Sequence, residues 1–261
     1  MNKLLNIASW VVTFFGIIAL LGFVEKKTAE LQCGDLYINI DRAHNNYFVL
    51  DEDITEIFNN HGYHKNQLVD SFDIRQMEML LNKYPGVQQA DVYATVDGNL
   101  MVDVIQRKPL VRIFNKKGES FYIDEEGWVM PWSRKYTARV MVANGNITSV
   151  YGKSIHRNWA TSFNMDSIQS DLSSIYRIAK YISKDQFWKA QIIQLYLNEK
   201  GDVEMIPRVG NHTIILGDAQ DLETKFNKLM VFYRKGLSKT GWNEYKTINL
   251  KYKNQVVCKK Q

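Results

Sequence analysis

The chain has 261 residues, 45% of them hydrophobic and 23% charged, which suits packed cores in one large or two small domains. The net charge of +5 is modest for this length and the Lys and Arg are dispersed until the C-terminus, so the balance reads as solvated surface and does not point to nucleic acid. Two cysteines, Cys33 and Cys258, are too few for a disulfide scaffold and fit no metal-ligand spacing.

Residues 1–3 form a short tail. Leu4 to Val24 is a run of 21 residues without a charge, holding thirteen Leu, Ile, Phe and Val. As a helix it would be roughly 31 Å long, the thickness of a hydrocarbon core. The rival is a cleaved signal peptide, but the run is long for one and no A-x-A-like site follows it. The expectation is a single uncleaved transmembrane helix over 4–24, with a linker over 25–35. Lys3 before the span and Lys26 and Lys27 after it barely decide orientation.

Leu36 to Ile40 has Leu36, Ile38 and Ile40 in phase, a short strand. Ile54, Ile57, Phe58 and His61 fall on one helical face, with Asp51 as the expected N-cap and Gly62 as the stop. A second helix starts near Asp70 or Ser71 and repeats Ile74, Met77, Leu81 and Tyr84 at helical spacing. Pro85-Gly86 ends it. The period then changes to two. Ala90, Val92 and Ala94 alternate with Asp91, Tyr93 and Thr95, Asp97-Gly98 signals a hairpin, and Leu100, Val102 and Val104 return on one face. Arg107-Lys108-Pro109 breaks the ladder. The order β-α-α-β-β thus occupies 36–113.

The region 114–261 reads as a mixed β domain with packing helices. Short strands are expected at Val111–Phe114, Phe121–Ile123, Trp128–Met130 and Arg139–Val142, separated by turn signals that include Asp124–Gly127 and Asn144–Asn146. A helix carries Ile168, Leu172, Ile175, Ile178 and Ile182. A hairpin joins Ile192–Asn198 to Val203–Pro207, and Thr213–Leu216 is a further strand. A last helix carries Leu222, Phe226, Leu229 and Tyr233. Thr247–Val257 is expected as one final strand.

Searching for chemistry yields no site. His61 and His64 have Gly62 between them and no nearby Cys, so they read as surface or capping histidines. Asp124-Glu125-Glu126 precedes Gly127 and reads as a solvated turn. Gly210-Asn211-His212-Thr213 lacks the glycine spacing and Lys of a phosphate loop. No hydrolase or metalloprotease motif occurs. No cofactor is expected, and the chain is not expected to be an enzyme. The last strand is the best binding candidate. Lys251, Lys253, Lys259 and Lys260 on and after it fit protection of a sheet edge, and the same edge can accept a partner strand.

The run Tyr84-Pro85-Gly86-Val87, then Ala90, Val92, Leu100, Val102, Val104, Arg107 and Pro109, resembles the POTRA domain of the FtsQ/DivIB family of bacterial cell-division proteins. Ile206 to His212, Ile214 to Gly217, the Asp221 helix and Ile248 to Tyr252 resemble that family's β domain. The resemblance implies an α+β protein with one N-terminal membrane span, a POTRA domain and a β domain, its bulk periplasmic, in the cytoplasmic membrane at the division septum. It implies a non-enzymatic divisome scaffold that binds small bitopic proteins of the FtsB/DivIC and FtsL kind, and through them helps regulate the septal peptidoglycan synthase (FtsW/FtsI-like). It also implies docking at the C-terminal β-edge, so the expected partner-binding residues are Ile248, Leu250, Lys251, Tyr252, Asn254, Val256 and Val257. A tethered periplasmic enzyme or a peptidoglycan-binding protein is the alternative. Cys33 and Cys258 are either free thiols or a bridge from the C-terminus to the membrane-proximal segment.

Overall fold

The computed structural model describes Trp10 and residues 13–18, 31–154 and 171–261. The expected membrane helix over 4–24 and the linker over 25–35 lie mostly outside the described residues; of the former, Trp10 and 13–18 are helical. No helix among the described residues is long and apolar enough to cross a membrane. The chain divides into two compact units, the first ending at Gln106 and the second beginning at Arg107.

The first unit has strands Leu36–Asp41 (β1), Val87–Ala94 (β2) and Leu100–Gln106 (β3), with helices Asp51–Asn60 (α1) and Ile74–Lys83 (α2). Its sheet order is β1-β3-β2, with β1 parallel and β2 antiparallel to β3. The alternation of period two places Ala90, Val92, Leu100, Val102 and Val104 on the inner face. Ile54 and Phe58 of α1 and Met77 and Leu81 of α2 complete one core against them. Gly98 closes the β2–β3 hairpin at φ 84°, and a Cβ there would lie 2.0 Å from the carbonyl oxygen of Gln32, so only Gly fits. Gln106, also buried, accepts from the Val49 N–H at 2.8 Å and donates to the carbonyls of Asp41 and Asn46 at 3.0 and 2.9 Å.

Two helix starts differ from expectation. Leu50, not Asp51, is the N-cap of α1, because the Asp53 carboxylate reaches back to the Leu50 N–H at 2.9 Å. The second helix begins at Ile74, where Asp73 accepts from the Gln76 N–H, while Val69–Ser71 forms a separate 3-10 turn.

The second unit contains Pro109–Phe114 (β4), Ser120–Asp124 (β5), Val129–Pro131 (β6), Met141–Gly145 (β7), Ile192–Leu197 (β8), Val203–Pro207 (β9), Thr213–Gly217 (β10), Tyr245–Asn249 (β11) and Val257–Lys260 (β12). They form one mixed sheet in the order β12-β11-β10-β9-β8-β7-β4-β5-β6. The helices are Tyr151–Ser154 (α3), Asp171–Ser183 (α4), Gln186–Gln191 (α5), Leu222–Phe232 (α6) and Ser238–Thr240 (α7). Leu172, Ile175, Ile178 and Ile182 of α4 and Phe226 and Leu229 of α6 share a core with Val111, Ile113, Leu195, Met205 and Ile214. Ile168 lies outside the described residues.

Two expectations here are corrected and one helix is added. Asn144-Gly145 lies inside β7 and is not a turn, because the parallel neighbour β8 pairs Asn144 with Tyr196 and Gly145 with Leu197 and overrides local turn preference. α5, unread in the sequence, starts where Asp185 accepts from the N–H groups of Phe187 and Trp188. The expected single strand Thr247–Val257 is two strands, β11 and β12, antiparallel across a turn in which Asn254 takes φ 58°. Asn tolerates that left-handed conformation better than most residues.

Candidate functional site

The long sheet ends in two unlike edges. β6 is three residues long and ends in Pro131, which cannot donate to a ladder, so that edge is closed to another strand. β12 pairs on one side only, with β11, and it is the other end of the sheet. The expected binding residues distribute around it unequally. Ile248 and Leu250 are fully buried and belong to the core. Lys251 is exposed and its Nζ donates to Asp202 at 2.7 Å. Tyr252 is 49% exposed, Asn254 makes the turn, Val256 packs partly against the core, and Val257 opens β12 at 42% exposure. The structure therefore leaves Tyr252 and Val257 exposed, brings Asn254 and Val256 to one groove, and buries Ile248 and Leu250 in the core.

That turn is held by a residue far away in sequence. Lys228 on α6 donates to the carbonyl oxygens of Leu250 and Tyr252 at 2.9 and 2.6 Å. Burial lowers the pKa of its ammonium from the ordinary lysine value, and nearby Lys225 adds to this. Between α6 and the turn lies an open groove of about 640 Å³, lined by the apolar Val231, Phe232 and Val256 and by the cationic Lys228 and Lys235. Val256 was expected at a binding surface; the groove residues on and after α6 were not read from the sequence. The available signal was a second face of the helix: Thr224, Lys228, Val231 and Lys235 recur at helical spacing, and Val231 is apolar yet exposed.

In the first unit the two sheet edges also differ. The Asn82 amide on α2 donates to the Ala90 carbonyl at 2.9 Å and accepts from the Ala90 N–H at 3.0 Å, so a side chain occupies the outer edge of β2. β1 pairs only with β3 among the described strands.

Asp124 is not the solvated turn residue expected. It is buried, its carboxylate accepts from Arg107 at 3.0 Å and from the N–H groups of Trp128 and Glu126 at 2.7 and 3.0 Å, and the Arg107 guanidinium stacks on Trp128. Burial raises the pKa of Asp124 above the ordinary carboxylate value although Arg107 opposes this. The pair ties Arg107, before β4, to the end of β5, a structural role. His212 is also buried, 3.1 Å from the Tyr233 hydroxyl and stacked near Trp242. Burial lowers its pKa from the ordinary histidine value and pushes that of Tyr233 up to about 12. Among the described residues no group of His, Cys, Asp and Glu is arranged to hold a metal. His61 instead contacts the Ile57 carbonyl, and Cys33 and Cys258 are free thiols.

The unit boundary also changes the reading of charge. Residues 1–106 carry fourteen Asp and Glu against seven Lys and Arg, whereas 107–261 carry 26 Lys and Arg against 14 Asp and Glu. The modest total thus combines a net −7 with a net +12, and the cations are not dispersed.

Together, a small β-α-α-β-β unit and a long mixed sheet with one open, short edge define a two-domain protein that presents strand edges. Residues 31–105 match the POTRA-like domain, and residues 108–259 match the family described as FtsQ/DivIB, C-terminal related. The chain belongs to the FtsQ/DivIB family, which points to a protein of cell division. No curated protein matches it.

Proposed function

We propose that this chain is a non-enzymatic divisome scaffold, anchored by residues 4–24 in the cytoplasmic membrane with both domains outside, that recruits bitopic division proteins of the FtsB/DivIC and FtsL kind. Through them it helps regulate the FtsW/FtsI-like septal synthase. The observation that carries this reading is the open β12 edge beside the groove on α6. A partner segment adds a strand to β12, where backbone hydrogen bonds give affinity. Its apolar side chains enter the groove over Val231 and Val256, and its acidic residues meet Lys228 and Lys235, which line the same groove. Tyr252 and Val257 flank that path as exposed apolar contacts. Confinement to the membrane raises the effective concentration of partners that bind weakly. On the POTRA side, β1 is the edge left for a second strand, since Asn82 occupies that of β2.

The test is a pull-down of the host's FtsB/DivIC-like protein by the full chain in detergent micelles. It is compared with a chain lacking Val257–Gln261 and with Lys259→Pro, each checked for its thermal melt. Loss of capture by both folded variants supports docking at β12. Capture that survives both moves the site away from β12, and no capture by the parent chain overturns the scaffold reading.

A further inference from the structure

The outer face of the POTRA sheet carries an unusual combination. Strands β1, β2 and β3 contain no Lys or Arg. Alternation turns Asp41, Asp91 and Asp103 to this outer face, opposite the buried set. Asp91 and Asp103 are direct cross-strand partners, an arrangement of like charges that destabilises a sheet. The next row across the sheet is Tyr37, Met101 and Tyr93, paired in register, with both tyrosines about half exposed. Asp103 is fixed facing outward by Asn39 at 2.8 Å and the Tyr93 hydroxyl at 3.2 Å.

Asp41 also accepts from the Ala43 N–H at 2.8 Å and so holds the turn after β1, whereas no packing need accounts for the facing Asp91 and Asp103, because the helices cover the other face. A cation does account for them. A guanidinium or ammonium laid across the face would relieve the Asp91–Asp103 repulsion and stack on Tyr37 or Tyr93. Charge complementarity also favours it, since the whole unit carries −7 within a chain of net +5. We infer that this face docks a Lys/Arg-bearing segment of a partner protein, at a surface separate from β12 and not dependent on it.

The test uses the full chain in detergent micelles and a fluorescein-labelled hexa-arginine peptide read by anisotropy, with hexa-glutamate as the control. The variant Asp41→Asn/Asp91→Asn/Asp103→Asn is compared with Glu56→Gln/Asp70→Asn/Asp97→Asn, which removes the same charge from exposed positions elsewhere on the unit. Thermal melts check that both are folded, and Asp91→Asn alone serves if the triple variant is not. The face variant is expected to weaken hexa-arginine binding by at least about tenfold, and the control variant by no more than about twofold, with affinity falling as salt is raised. Tyr37→Ala/Tyr93→Ala is expected to weaken it severalfold. Equal losses in the two charge variants would show a diffuse field and overturn the assignment, as would failure of hexa-arginine to bind the parent chain or an unchanged affinity in the tyrosine variant.

Discussion

Asn82 and Ala90 are hydrogen-bonded twice, side-chain amide to backbone, as a neighbouring strand would be. A residue of α2 thereby terminates the POTRA sheet. Asn82→Ala should leave both backbone groups of Ala90 unpaired in a partly buried place and cost about 1–3 kcal/mol. It should also open β2 to a second copy. Denaturant melts and light scattering across protein concentration check both effects; a variant that is as stable and as monomeric as the parent would refute the capping role.

Arg107→Met should remove the cation beside a buried carboxylate and destabilise the second domain by about 3 kcal/mol near neutral pH. Asp124 has a raised folded-state pKa, so the folded state takes up its proton before the unfolded chain does on acidification. Its ionisation therefore removes stability as pH rises from the ordinary carboxylate value through the folded value. The deficit of Arg107→Met should shrink as pH falls through that window. Chemical melts at several pH values measure it, and a deficit independent of pH would contradict the account.

His212 has a lowered pKa, so the unfolded chain binds a proton where the folded chain does not. Stability from this residue is present above the ordinary histidine value and is lost on acidification below it, by at most about 1.4 kcal/mol per pH unit. His212→Gln should flatten the dependence of melting temperature on pH between about 5 and 7. It should also cost about 1 kcal/mol at neutral pH through the lost Tyr233 contact. An unchanged slope would place the acid sensitivity elsewhere.

Tyr252→Ala should leave stability within about 0.5 kcal/mol, because the side chain is exposed and Lys228 holds the backbone carbonyl rather than the ring. Capture of the FtsB/DivIC-like partner should nonetheless weaken by about tenfold if the ring is an anchor. Titration by calorimetry or anisotropy reads the difference, and equal affinity would remove Tyr252 from the contact.

The sequence by itself determined the POTRA unit, because its signals are local. Period-two alternation through Ala90–Ala94 and Leu100–Val104, Pro85-Gly86 and Gly98 each act within a few residues. It also determined most strands of the second domain and the family. The tertiary structure alone decided where strands ended and what they met. Thr247–Val257 reads as continuous until β10 pairs with β11 and Lys228 bends the segment after it. The burial of Asp124, the closing of β2 by Asn82 and the groove over Val231 depend on residues distant in sequence. Alternation tells which residues share a face, but not which face, edge or helix the folded chain brings against it.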